Sequence, residues 1–444
     1  MANTYLQRTF GSGNQQIWTW SGWIKRNKLG TDQQIFGRQL DGSNIGSIRF
    51  QSDDAIRVNN NTSGTGVELY TTMKFRDTNG WYHLVVVFKG SESTASDRVD
   101  IYVNGEEIDF TVTSSTTAGN GYINGSGDHF IGKRAPGDND RFLEAVLSHV
   151  HFIDGTAYTP STFGETDANG VWKIKTDVSV TYGNNGFFIL KDGNSVTDQS
   201  GNSNNFTVGG GTLTNTEDSP SNVFATINPL TNFYQNSTFS NGNNRIVTTN
   251  DGVYNYNEST LGMSSGKYYM EVKYITSARP TNDFARFGIV NAPSNRTIGS
   301  VGYGLYEYGY YSYNGKIVNN DIQTNYGDTF TDNDIIGIAV DLDNNKLYFS
   351  KNGTWQNSGD PTSGSTGTGA ISITPASDND TGFYFFAGGE EDGTYGVTFE
   401  TNFGNGYFGT TAVASAGTNA SGNGIFEYDV PTGYTALSTK GLNL

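Results

Sequence analysis

Arg98-Val-Asp-Ile-Tyr-Val-Asn-Gly-Glu-Glu-Ile-Asp-Phe110 is the stretch that decides the fold class. Val99, Ile101 and Val103 alternate with Asp100 and Tyr102, the period of a half-buried strand. Asn104-Gly105 follows, and both residue types tolerate the positive φ that a type I′ turn demands at its two central positions. An extended run, Asn-Gly and a second extended run make an antiparallel hairpin.

The same style runs outward in both directions. Ile17-Trp-Thr-Trp-Ser-Gly-Trp-Ile24 puts Trp18 and Trp20 on one face and Trp23 on the other. Trp81-Tyr-His-Leu-Val-Val-Val-Phe88 is apolar enough for a buried central strand. Phe142-Leu-Glu-Ala-Val-Leu-Ser-His-Val-His-Phe-Ile153 alternates at Leu143, Ala145 and Leu147 and reads as a strand rather than a helix. In the second half, strands are expected at 267–274, 284–290, 335–341, 346–350, 383–386 and 396–403, with a second hairpin turn at Asn352-Gly353. No segment sustains a helical period.

Composition agrees. With 444 residues the chain exceeds one core and suits two domains. Hydrophobic residues are 34% but aromatics reach 13%, and charged residues are only 16%, the reverse of a disordered chain. There is no cysteine, so neither disulfides nor thiolate metal sites are available. The 58 glycines and 9 prolines show no Gly-X-Y period and instead supply turns. The net charge is −17: residues 1–200 carry 17 basic and 22 acidic side chains, a net −5, and residues 201–444 carry 10 and 22, a net −12. Such a balance repels phosphate backbones and argues against nucleic acid. The first residues lack the apolar core of a signal peptide, and no run of 18 apolar residues exists to insert in a membrane.

The expected domains are 1–208, a flexible and strand-free linker at 209–230 that begins Gly209-Gly-Gly-Thr-Leu-Thr, and 231–444. The first resembles the laminin-G-like, concanavalin A-like jelly rolls found in phage proteins. The resemblance lies in Tyr5-Leu-Gln-Arg-Thr-Phe10, Trp18-Thr-Trp-Ser-Gly-Trp-Ile-Lys25, Trp81-Tyr-His83, Ile101-Tyr-Val-Asn-Gly105, Val150-His-Phe-Ile-Asp-Gly155 and Thr159-Pro-Ser-Thr-Phe-Gly-Glu165. The last domain resembles a SPRY domain through Gly266-Lys-Tyr-Tyr-Met-Glu-Val272, Phe287-Gly-Ile289, Gly309-Tyr-Tyr-Ser-Tyr-Asn-Gly315, Asp334-Ile-Ile-Gly-Ile-Ala-Val-Asp341 and Leu347-Tyr-Phe-Ser-Lys-Asn-Gly353. Together they imply an all-β protein of two antiparallel jelly-roll β-sandwich domains. Such sandwiches host lectins, enzymes and scaffolds alike.

Candidate sites are few. Glucanases of this fold use a Glu-x-Asp strand with a third acid, one carboxylate attacking and another donating a proton. Glu107-x-Asp109, Glu165-x-Asp167, Glu390-x-Asp392 and Glu427-x-Asp429 all lack that third acid, so no catalytic set is expected. Of four histidines, His149 and His151 share one face of a strand, a spacing zinc can use, but no third ligand is recognisable. Calcium is the one cofactor left open: laminin-G-like modules often hold one ion between acidic loops, and Asp138, Asp140 and Asp41 lie in loops that could supply oxygens. The cluster Tyr303, Tyr306, Tyr308, Tyr310, Tyr311 and Tyr313 is dense. Exposed, Tyr306, Tyr308, Tyr310 and Tyr311 would make a ligand or partner surface; the equal alternative is an inward-packed strand with a bulge at Gly309.

The expectation for function is a non-catalytic bacteriophage virion surface protein, a fibre, knob or decoration, that binds host-surface glycan or protein. A purely structural decoration without a ligand is the alternative, and a polysaccharide-cleaving enzyme comes third. The expected partners are other virion proteins of capsid or tail, with host glycan or protein outside, no nucleic acid and no membrane insertion. A homo-oligomer stays open. Attachment is expected through a folded face of the less acidic first domain.

Overall fold

The computed structural model describes residues 3–115, 118–231, 237–249, 254–277, 284–291, 299–391 and 395–443. Strands dominate, at 42% against 6% helix, and the chain divides into two compact units, Met1–Asn215 and Thr216–Leu444. Among the described residues no helix is long and apolar enough to cross a membrane.

The first unit is a sandwich of two antiparallel sheets. Its front sheet has eight strands in the order Phe110–Ser115, Thr65–Thr71, Ile56–Thr62, Ile45–Phe50, Gln33–Gln39, Gly127–Ile131, Tyr5–Phe10, Thr207–Gly210. Its back sheet has six: Phe187–Ile189, Ala145–Asp154, Ile17–Arg26, Tyr82–Lys89, Val99–Val103, Glu106–Glu107. Alternation sorts the side chains. Ile48, Phe50, Ile56, Val58, Val67 and Leu69 of the front sheet bury against Trp18, Trp20, Val86 and Ile101 of the back. Trp23 points the other way and stacks on His83 at 4.8 Å. A second layer, with Phe163, Tyr182 and Phe188, covers that outer side of the back sheet. At the turn, Asn104 has φ 50° and Gly105 φ 90°, the left-handed pair a type I′ hairpin requires.

The second unit repeats the plan. One sheet runs Thr238–Ser240, Arg245–Val247, Val397–Asn402, Lys267–Ser277, Ile335–Asp341, Lys346–Lys351, Thr354–Trp355; the other runs Asn255–Glu258, Phe385–Glu390, Ala285–Val290, Tyr308–Tyr311, Lys316–Asn319, Ile322–Asn325. Met270, Val272, Phe287, Ile289, Ile338 and Phe349 fill the space between them. Asn352 and Gly353, at φ 48° and 80°, form the second hairpin turn.

Two local expectations change, and one strand carries an unexpected bulge. The stretch from Gly209 is not strand-free: Gly209 and Gly210 extend the strand Thr207–Gly210, with Gly210 opposite Tyr5. A Cβ on Gly209 would sit 2.2 Å from the Tyr5 ring, so these glycines serve close packing rather than flexibility. Beyond them Leu213 packs on the first core, while Glu217 N–H already donates to the Asn405 carbonyl in the second unit. The strand Ala145–Asp154 carries a bulge between Ser148 and His151, with His149 at φ 48°. Despite the inserted residue both imidazoles lie against the Phe188 ring, His149 at 5.6 Å and His151 at 3.9 Å, so they still share that side of the strand. Gly309, finally, marks no bulge. It pairs in regular register with Gly288, and a Cβ there would meet the Val301 carbonyl at 2.6 Å.

Candidate functional site

The sequence's own candidates are mostly consumed by the fold. Tyr308 and Tyr310 belong to the second core, and Tyr306 packs against it half-buried. The Tyr310 hydroxyl donates to the Asp328 carbonyl, and the Tyr308 hydroxyl accepts from Thr374 N–H. Tyr311 is 3% exposed and lies on the opposite face, where the buried Arg286 guanidinium sits 4.5 Å above its ring. Only Tyr313 is largely exposed, stacked on Phe284 at 5.3 Å. The expected tyrosine platform is therefore not a surface, because alternation sends Tyr308 and Tyr310 inward and Arg286 covers Tyr311.

The acidic loops are likewise engaged. Asp41 accepts from the backbone N–H groups of Ser43 (2.8 Å) and Asn44 (2.9 Å), closing its own turn. Asp138 is held by both sides of the Arg134 guanidinium, and Asp140 lies 3.4 Å from it. A calcium ion there would have to displace an arginine. Burial holds the His83 and His129 rings down to a pKa of about 3. The Trp172 indole N–H donates to His83 Nδ1 (3.0 Å), so Nε2 carries the proton toward Ser21 Oγ (2.9 Å). His151 bonds the Tyr182 hydroxyl and stacks on Phe188 at 3.9 Å. Among the described residues no group of three or more metal-ligating side chains forms. Three of the Glu-x-Asp fragments lie at turns and edges: Glu107 and Asp109 are exposed, Asp167 pairs with Lys173, and Asp429 caps Thr418, whereas Glu390 is fully buried at the end of the interior strand Phe385–Glu390. Asp392 lies outside the described residues.

The site that sequence reading missed is the outer face of the first unit's front sheet. Arg49, on Ile45–Phe50, stands directly opposite Arg57 on Ile56–Thr62, and Arg57 stands opposite Tyr70 on Thr65–Thr71. The flanking residues Ile48, Phe50, Ile56, Val58 and Leu69 are all core, so this row faces outward. Arg57 pairs with Glu68 at 2.6 Å, and the Tyr70 hydroxyl donates to the same carboxylate at 3.0 Å. On the other side Arg141 approaches Asp32 at 3.6 Å. Arg49, 4% exposed, has neither ion pair nor side-chain hydrogen bond among the described residues, and its Nε is buried without a partner. Burial, then the like charges of Arg57 and Arg141, lower its pKa to about 10. A buried cation beside two more cations is costly unless something anionic sits with it. The polar spacing of Ser47-Ile-Arg-Phe50 and Ile56-Arg-Val58 carried this information; only the pairing register made the two arginines neighbours.

The second unit offers a polar groove of about 570 Å³ lined in part by Asn314, Asn325, Tyr326, Trp355 and Gln356. Its polar groups already have partners: Gln356 bonds Asp328 N–H and the Thr354 carbonyl, and Tyr326 accepts from Phe349 N–H.

Part of each unit matches a known family. Residues 2–162 match the family model of the concanavalin A-like lectin/glucanases superfamily, and residues 267–371 match that of the SPRY domain. No curated protein matches the chain. Among solved structures, the SPRY domain of human HERC1 is 16% identical, with 39% of this chain and 96% of that one covered at a TM-score of 0.31. Another human SPRY domain is 14% identical, with 35% and 90% covered and a TM-score of 0.25.

Proposed function

We propose, from the premise of a concanavalin A-like first unit and a SPRY second unit, that this is a non-catalytic binding protein on a bacteriophage surface that engages host-surface glycan or protein. Matches to lectin-like and SPRY families support a binding role, and the virion setting rests on the sequence motifs of the first unit that resemble phage jelly rolls. The observation that carries the reading is Arg49, a buried cation with neither ion pair nor side-chain hydrogen bond among the described residues, on the outward side of a lectin-type sheet. The catalytic alternative is weaker because Asp167 and Asp429 of the Glu-x-Asp fragments are spent on an ion pair and a turn.

Two measurements test it. Labelled full-length chain should bind host cells saturably and release no reducing ends from their envelope polysaccharide. Antibodies against the chain should decorate the exterior of intact particles under the electron microscope. Unlabelled particles would remove the virion setting, and turnover lost on Glu427→Gln or Glu165→Gln would replace binding with catalysis. A decorated particle whose protein binds no host material would be a structural decoration.

A further inference from the structure

We infer that the front-sheet face around Arg49 is a binding site for an acidic saccharide, a sugar whose carboxylate or sulfate group pairs with the Arg49 guanidinium. This rests on the binding reading above and names its ligand.

Charge comes first. In a chain of net −17, three guanidinium groups, Arg49, Arg57 and Arg141, act on one another across the front sheet. The carboxylates nearest to them are already taken, Glu68 by Arg57 and Tyr70, Asp32 by Arg141 and by Ser52 N–H. Arg49 is left with positive charge, buried, between positive neighbours. A fold under selection for stability alone would replace it with an apolar residue. An arginine held without a partner is instead preorganised for a planar anion, which its forked donors meet in pairs.

The surroundings define the rest of the ligand. Beside Arg49 on this face lie Ser47, Asn59 and Gln34, polar and uncharged, and the buried Oδ1 of Asn59 lacks a donor. These three are buried and hydrogen-bonded to Phe36, to each other and to Glu68, so a guest would meet Arg49 with the half-buried polar rim of Arg57, Glu68 and Tyr70. Further along the same face are aromatic rings, Tyr5 and Phe130 at 6.1 Å and Tyr5 and Phe142 at 6.3 Å, with Lys133 4.2 Å above Tyr5. Tyr5 and Phe142 are half-buried, and aromatic rings of this kind can stack on a sugar ring. A cation, a polar rim and aromatic rings on one sheet face are what an acidic polysaccharide needs.

The test uses the full chain with four probes: polygalacturonate, its fully methyl-esterified form, dextran sulfate and dextran. Calorimetric titration at low salt should show binding to one or both anionic polymers, falling with added salt, and none to their neutral counterparts. Polygalacturonate binding alone would assign a carboxylate, and dextran sulfate binding alone a sulfate ester. Arg49→Gln should weaken that binding at least about ten-fold while leaving the thermal midpoint of the free protein unchanged or higher. Binding undiminished in Arg49→Gln, or equal binding to the neutral polymers, would overturn the acidic ligand and leave the binding reading intact. Should Arg49→Gln lose binding and also unfold earlier, Arg49→Lys, which keeps the charge but not the paired donors, serves as the second variant, and undiminished binding by it would also sink the forked pairing. Failure of wild-type protein to bind any of the four polymers while still binding host cells would likewise reject the ligand. Failure on cells as well would reject the binding reading itself.

Discussion

Glu271 shows how a single buried side chain can organise an otherwise irregular terminus. It is fully buried, and its carboxylate accepts from Glu427 N–H (2.8 Å), Tyr428 N–H (2.8 Å), the Tyr269 hydroxyl (3.1 Å) and Asn402 Nδ2 (3.3 Å). The residue thereby pins the 426–430 segment, which has no strand of its own, to the centre of a sheet. Burial outweighs those four donors and pushes its pKa up from 4.5 to about 7. A carboxyl that binds its proton more tightly when folded stabilises the fold fully below pH 4.5, and that contribution is lost as pH rises to 7. The shift is worth about 3 kcal/mol. Glu271→Gln should remove this dependence, measured as the wild-type minus variant difference in urea stability across pH 4.5–7. The variant should also be less stable by roughly 2–4 kcal/mol, since one amide oxygen cannot serve four donors. A pH-independent difference would show that Glu271 does not titrate in this window.

At the scale of elements, hairpin turns do more than reverse the chain. The Gly105 turn is packed under the Trp172 indole, with a virtual Cβ only 2.6 Å from the ring, and Trp172 in turn donates to His83. The turn between Ile56–Thr62 and Thr65–Thr71 has Gly64 at a similar φ of 76° but nothing within 4 Å of a Cβ. Gly64→Ala should therefore cost only the left-handed backbone penalty, about 1 kcal/mol. Gly105→Ala should cost that plus a displaced ring, roughly 2–4 kcal/mol in all. Denaturant melts of the two variants decide the matter, and equal losses would mean that Trp172 yields freely. The hairpin itself was legible from Asn-Gly. The indole above it was not, because Trp172 lies on a separate short strand, Trp172–Ile174.

For the whole molecule, acid separates the two units. All four histidines lie in Met1–Asn215 and none in Thr216–Leu444. Burial depresses the pKa of His83 and His129 to about 3 and that of His151 well below 6.5. A neutral buried imidazole cannot follow the unfolded chain in taking up a proton. Its contribution is present above pH 6.5 and is lost on acidification, at about 1.4 kcal/mol per pH unit for each ring. Residues 1–215 and 216–444 expressed separately should each unfold cooperatively. Between pH 6.5 and 5 the first should lose stability steeply, while the second should hold or gain through Glu271. Matching pH profiles for the two fragments would show that the histidines are solvated, and a fragment without a melting transition would show that the units depend on each other.

Sequence alone determined what depends on neighbours along the chain. Alternation at Val99, Ile101 and Val103 gave a strand, and Asn104-Gly105 and Asn352-Gly353 gave turns, because φ preference and side-chain parity are local properties. Parity also put Trp18 and Trp20 in the core and Trp23 outside it. What tertiary structure decided was what depends on partners. The dense tyrosines read equally as surface or interior until the second sheet and Arg286 covered them. Gly209 and Gly210 read as a loose linker until they paired with Tyr5, some 200 residues away. Arg49 and Arg57 are eight positions apart and ordinary in the sequence; strand register set them side by side, and only the three-dimensional distribution of carboxylates left Arg49 without an ion pair among the described residues. Charge interactions act through space rather than along the chain, and for that reason the fold was written locally and the site was not.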